Sequence, residues 1–266
     1  MARALDVVHL GVPDVDAARE FHSAALGATV GGDADGAFLD LHGAGRLALH
    51  PAGGLAAAAG TPERSPDGFG GVVLSVVVAR SGDVDALLEG ATAAGATIVK
   101  PGKKILFGAF SGAYRAPDGS LWQVTAPKKG EGAGGPTPPT ATETQAMLGA
   151  ADPRTSKAFY VALGMTPDRD YGSKYLDFAP GPGAGRLAFM TRGALATQVA
   201  ADPAASAAAG VVLGVTVEDA GEVDAVLAAA TRAGGRITAP ATTDAHGHRT
   251  GHVADPDGFV WRVAAD

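Results

Sequence analysis

The chain repeats itself, and no other feature limits its architecture as tightly. Ala116-Pro117-Asp118-Gly119-Ser120-Leu121-Trp122-Gln123-Val124 returns as Asp255-Pro256-Asp257-Gly258-Phe259-Val260-Trp261-Arg262-Val263, 139 positions later. Val72-Val73-Leu74-Ser75-Val76 returns as Val211-Val212-Leu213-Gly214-Val215 at the same offset. Gly45-Arg46-Leu47-Ala48-Leu49 returns as Gly185-Arg186-Leu187-Ala188-Phe189 at 140, and His9-Leu10-Gly11 falls on Met147-Leu148-Gly149 at 138. Matches kept in order along the whole chain mark a duplication, and a length of 266 residues suits two domains. Between the copies, the run from Pro127 to Pro139 carries too much glycine and proline for a helix or a ladder and reads as a linker. The expected division is one module over 1–126, a linker over 127–140 and a second module over 141–266.

Within a copy the elements are legible. A strand over 5–12 leads to Pro13 and the helix N-cap Asp14, and a helix over 15–26 closes on Gly27. Short strands near 37–42 and 45–50 precede a loose Gly/Ala/Pro loop over 51–70. A buried strand over 72–78 and a helix over 83–94, ended by Gly95, come next. Strands near 97–100 and 109–115 lead through the Pro117-Asp118-Gly119 turn into a last strand over 121–125. Each copy is thus βαβββ written twice, an α+β arrangement.

Period-two alternation sorts the strand faces. Val8, Leu10, Leu47, Leu49, Trp122 and Val124 take the side of the helices. His9, Arg46, His50 and Gln123 take the other, and with Tyr114 they form the expected cleft of copy one. Met147, Tyr175, Arg186, Met190 and Arg262 form that of copy two. Phe107, Phe110 and Tyr114 suggest an aromatic mouth. The arginines suit an anionic or carbonyl-rich ligand. His246, His248 and His252 sit among glycines beside Asp244 and read as solvated loop residues.

Composition narrows the chemistry. Hydrophobic residues are 46% and charged residues 18%, enough to bury a core. The absence of cysteine removes disulfides, thiolate metal sites and a cysteine nucleophile. A net charge of −7 with no basic face argues against nucleic-acid binding. No apolar run is long enough to span a membrane, and Met1–Leu10 reads as a strand and not as a signal peptide, so a cytoplasmic protein is expected. The wealth of Ala, Gly, Asp and Val with few lysines suggests a bacterial source. No dinucleotide fingerprint or phosphate loop is present, and paired carboxylates are missing from the inferred concave faces.

His9-Leu10-Gly11-Val12-Pro13-Asp14, running into Ala18-Arg19-Glu20-Phe21 and Leu26-Gly27, together with the Asp255-Pro256-Asp257-Gly258 hairpin before Trp261, resembles the vicinal oxygen chelate superfamily of glyoxalases, bleomycin-resistance proteins and extradiol dioxygenases. In copy one Ala116 replaces the first Asp of that hairpin. The resemblance implies two tandem glyoxalase-like modules with concave mixed sheets. It also implies a divalent ion held by His, Glu or Gln from the first, fourth, fifth and last strands of a module. Copy one carries His9, Ala48, Gly71 and Gln123 there, and copy two Met147, Ala188, Gly210 and Arg262. Exchanging ligands between modules completes neither set.

The leading expectation is therefore a binder of a small organic molecule that does without the usual metal, with two non-equivalent clefts. Its rival is a metal-dependent lyase or dioxygenase using His9 and Gln123, with His50 able to join them. A third is a non-catalytic interaction protein with relict pockets. Whether any reaction is catalysed stays open, as does the choice between monomer and homodimer.

Overall fold

Two eight-stranded sheets form the molecule, and neither belongs to a single copy. A computed structural model describes residues 3–33, 36–63, 68–105, 109–127, 135, 138–205 and 208–265. Copy one begins with β1 (Val7–Val12), α1 (Val15–Leu26), β2 (Thr29–Asp33), β3 (Gly36–Asp40), β4 (Arg46–Pro51) and α2 (Ala52–Ala59). It continues with β5 (Val72–Val77), α3 (Ser81–Ala93), β6 (Thr97–Lys104), β7 (Phe110–Arg115) and β8 (Leu121–Ala126). Copy two begins with β9 (Glu143–Ala150), α4 (Pro153–Ala162), β10 (Pro167–Asp170), β11 (Leu176–Phe178), β12 (Arg186–Thr191) and α5 (Arg192–Gln198). It ends with β13 (Val211–Val217), α6 (Ala220–Arg232), β14 (Arg236–Thr243), β15 (Arg249–Ala254) and β16 (Val260–Ala265). Most of the linker expected over 127–140 lies outside the described residues.

The first sheet runs β14-β15-β16-β13-β1-β4-β3-β2 and the second β10-β11-β12-β9-β5-β8-β7-β6. Each thus joins the opening βαβββ unit of one copy to the closing unit of the other. The seams are antiparallel: His9 lies opposite Val212 across β1 and β13, and Val73 opposite Met147 across β5 and β9. Helices α1, α3, α4 and α6 pack on the convex faces and enclose a core that includes Leu10, Phe21, Leu47, Trp122, Tyr160 and Trp261, while α2 and α5 lie on the concave side. The α+β class and the repeated βαβββ order are as the sequence predicts.

Local chemistry explains the elements. Asp14 caps α1 by accepting from the Ala17 amide at 3.0 Å, and Gly27 ends it at a φ of 65°, where only glycine is unstrained. The segment expected to be loop contains α2. There Leu55 is followed by four alanines, the best helix former, and Gly60 at φ 64° stops the helix. The glycines and prolines around that run mask a short helix.

The hairpin substitution has a paired compensation. Asp255 accepts from the amides of Asp257 and Phe259 and from the Tyr160 hydroxyl at 2.7 Å, while the Trp261 indole donates to Tyr160. In copy one, where Ala116 has no carboxylate, Asp118 turns inward instead. It accepts from the Ser120 amide and hydroxyl and lies 2.8 Å from His22 Nε2, and the Trp122 indole donates to Ser120. His22 stands at the place of Tyr160, so both partners differ between the copies and these buried indole donors stay satisfied.

Candidate functional site

Strand pairing decides which side chains can meet. Residues in register on neighbouring strands share a face. His9 pairs with Ala48 and Val212, Arg262 pairs with Gly214 and His252, and Arg46 pairs with Asp40. The concave face of the first sheet therefore brings together His9, Arg46 and His50 from copy one with Arg262 and His252 from copy two. The second sheet gathers Gln123 from copy one with Met147, Tyr175, Arg186 and Met190 from copy two. Neither cleft is the single-copy set expected from the sequence, because the opening unit of each copy pairs with the closing unit of the other. His9 and Gln123, grouped as a residual metal set, stand on different sheets.

Tyr114 is in neither cleft. Its register partner on β8 is Trp122, so it shares the helix-facing side, where it is fully buried and stacked on the Trp122 ring. Phe110 likewise packs at the edge of the core, and Phe107 lies outside the described residues.

In the first cleft the rings of His9 and His50 meet, Nδ1 to Nε2, at 2.9 Å, so one proton is shared between them. Room for His9 comes from Gly214, where a Cβ would sit 2.8 Å from its Nε2. Gly214, rather than Gly210, is thus the fifth-strand position facing His9, and Ser75 is its counterpart in the second sheet. Arg262 lies beside it, half-buried, and the Arg46 guanidinium stacks 4.9 Å over the Phe38 ring. His252 is buried on β15. Burial first, and the charge of Arg262 second, pull its pKa down to about 4, so it is neutral at pH 7. His252 is therefore a strand residue and not the loop residue expected from its glycine neighbours; only His246 and His248 belong to the turn, with their amides bonded to Asp244. The 139-residue offset holds the missing signal, since His252 falls on Ala113 in the middle of a strand.

The second cleft is occupied by the protein itself. Phe69, Met147, Ala188, Leu195, Ala196 and Val199 form a buried apolar cluster under α5, with Tyr175 and Met190 at its edge. Gln123 donates to Ser111 Oγ at 3.0 Å and to Gln198 Oε1 at 2.9 Å. Arg186, expected to greet a ligand, is ion-paired to Asp168 at 2.6 Å, Glu143 at 3.0 Å and Asp177 at 3.2 Å, and the Tyr175 hydroxyl donates to Asp177. Its charge is consumed within the fold.

The four strand positions that would hold a divalent ion carry His9, Ala48, Gly214 and Arg262 in the first cleft and Met147, Ala188, Ser75 and Gln123 in the second. One imidazole beside a guanidinium, or one amide beside a thioether, does not supply three donors. Among the described residues no group of three or more His, Asp or Glu side chains is gathered for a metal.

A family model described as Glyoxalase/Bleomycin resistance protein/Dioxygenase superfamily matches residues 4–124 and again 144–263. The fold is similar to that of glyoxalase I from Zea mays, with a TM-score of 0.64, 17% identity and coverage of 99% of this chain and 92% of that one. It is similar too to a putative dioxygenase from Bacillus subtilis subsp. subtilis str. 168, with a TM-score of 0.63, 14% identity and coverage of 100% and 86%. A search of curated proteins finds no match. At these identities the likeness is one of fold.

Proposed function

The chain belongs to the glyoxalase/bleomycin resistance protein/dioxygenase superfamily, and from that premise we propose that its first cleft binds an anionic or carbonyl-rich small molecule directly, without the divalent ion its relatives employ. One observation carries the reading: Arg262 on β16 stands beside Gly214, in the ring of positions where a metal would need a donor. A fixed guanidinium there repels a cation and attracts a carboxylate or a polarised carbonyl. Arg46 adds a second positive charge, and the His9–His50 pair and neutral His252 line the same face with imidazoles. The second cleft, packed with its own side chains, is a relict under this reading.

Native mass spectrometry against a panel of small carboxylates and keto acids tests it, alongside elemental analysis. A retained or saturable ligand, lost in Arg262→Gln, is expected, with no stoichiometric metal. Binding that survives Arg262→Gln unchanged counts against the proposal. A second reading, a metal-dependent lyase or dioxygenase, rests on the meeting of His9 and His50. Stoichiometric Ni, Zn, Mn or Fe that disappears in His9→Ala would establish that one instead.

A further inference from the structure

Helices α2 and α5 take equivalent places over the two sheets, but a single side chain changes what lies beneath them. Under α5, Phe69 is fully buried in a cluster with Val73, Leu121, Leu195 and Ala196. The residue 139 positions on is Ala208, and the counterparts of those four neighbours are Val212, Val260, Leu55 and Ala56. These five residues line an open chamber of about 450 Å³. Its apolar floor is continued by Phe259. At its rim stand Arg192, the exposed Arg236 and Asp257. Asp257 is engaged within the protein, accepting from the Ala151 amide at 2.9 Å and the Ser156 hydroxyl at 3.0 Å. Arg192 is held rigidly: it donates to the carbonyls of Pro203 and Phe69 and its guanidinium stacks 5.0 Å over the Phe69 ring.

We propose that this chamber is a second ligand site, taking an amphipathic anion: a flat apolar body of one or two rings in the volume that Phe69 fills on the other side, with a carboxylate or sulfonate at Arg192 and Arg236. The size is that of a small-molecule pocket, and the lining has the mix of apolar wall and few charged groups such pockets show. Two cations against one internally bonded carboxylate select for negative charge, and a preorganised guanidinium loses little freedom on binding. The chamber adjoins the histidine cleft, since its Val212 is the register partner of His9, but His9, His50 and Arg262 are not in its lining, so the two sites use different polar groups.

The test is a fluorescence titration with 8-anilinonaphthalene-1-sulfonate, a fused-ring apolar anion, on the full chain. One saturable site is expected in protein that unfolds cooperatively. Ala208→Phe, which copies the chain's own solution at Phe69, should abolish it. Arg236→Gln, at an exposed position where folding is not at stake, should weaken it by roughly tenfold, the scale of one charge-assisted contact. Arg262→Gln should leave it unchanged. The proposal is overturned by the absence of a saturable site, by unchanged affinity in Arg236→Gln, or by unchanged affinity in a folded Ala208→Phe. It is also overturned if Arg262→Gln removes the probe, which would place it in the histidine cleft. A null result for carboxylates in the native mass spectra, with the dye still bound, would refute the direct-binding reading alone.

Discussion

Arg186 on β12 and Arg262 on β16 each lie on the third strand in from one end of a sheet, and they do opposite things. Arg186 is surrounded by Glu143, Asp168 and Asp177, the last fully buried. Replacing it with Leu removes one of the two guanidinium groups paired to Asp177, Arg169 at 2.8 Å being the other, and a loss of about 1.5–3 kcal/mol is expected in urea denaturation. Arg262 instead adds to the burial that chiefly lowers the pKa of His252. With a folded pKa near 4 and an unfolded value near 6.5, the folded state prefers neutral His252. The unfolded chain then binds more protons between those values, so stability is fully present above pH 6.5 and falls as pH drops toward 4. At about 1.4 kcal/mol per pKa unit the loss is on the order of 2–3 kcal/mol. His252→Gln removes that contribution. Denaturation midpoints at pH 7 and pH 4.5 should therefore differ less in the variant than in the wild type; an equal difference would refute the assignment. Alternation along each strand is enough to place His9, Arg46, His50, Gln123, Met147 and Arg262 on concave faces. It fails for Tyr114, whose face is set by its register with Trp122 rather than by its own segment, and partners across strands are not visible in a single sequence.

At the scale of elements, α2 is the segment least expected from the sequence and the one that covers the cleft. Leu55 and Ala59 press on Val212, Ala254 and Val260, so the helix crosses the concave face of the first sheet. Its interior glycines are a weakness, because glycine in a helix costs conformational entropy. Gly54 is exposed and a Cβ there meets only ordinary contact with Pro51. Gly54→Ala should raise stability by about 0.5–1 kcal/mol, seen as a higher melting temperature. Gly60 behaves oppositely: its φ is 64°, and a Cβ would collide with the Thr238 carbonyl oxygen. Gly60→Ala should destabilise by more than about 1 kcal/mol and speed amide exchange in α2. Helices α1 and α3 are legible from caps and terminal glycines. The signal for α2 is an alanine run too short to show a period, flanked by residues that usually mark turns.

Across the whole molecule, repetition announces two modules but gives no sign of how their halves associate. A strand pattern fixes which residues form β1 and β13, not that these two lie side by side. Expressed alone, residues 1–126 would leave β1 and β5 without their antiparallel partners. Such fragments should self-associate, each seam closing on a second copy, and mixing them with residues 139–266 should give a one-to-one complex by size-exclusion chromatography with light scattering. Two monomeric, cooperatively folding fragments would contradict the observed seams. The crossed seams also have a hereditary consequence. Each cleft is encoded by two separated stretches of the gene, roughly 5–60 with 210–265 for one and 68–126 with 143–199 for the other. Residues from both of its stretches line each cleft, and the stretch lying between the two that build the first cleft builds the second. A recombination event in the middle of the gene would therefore exchange half of each cleft at once, whereas replacing the two ends together would transplant a single cleft intact.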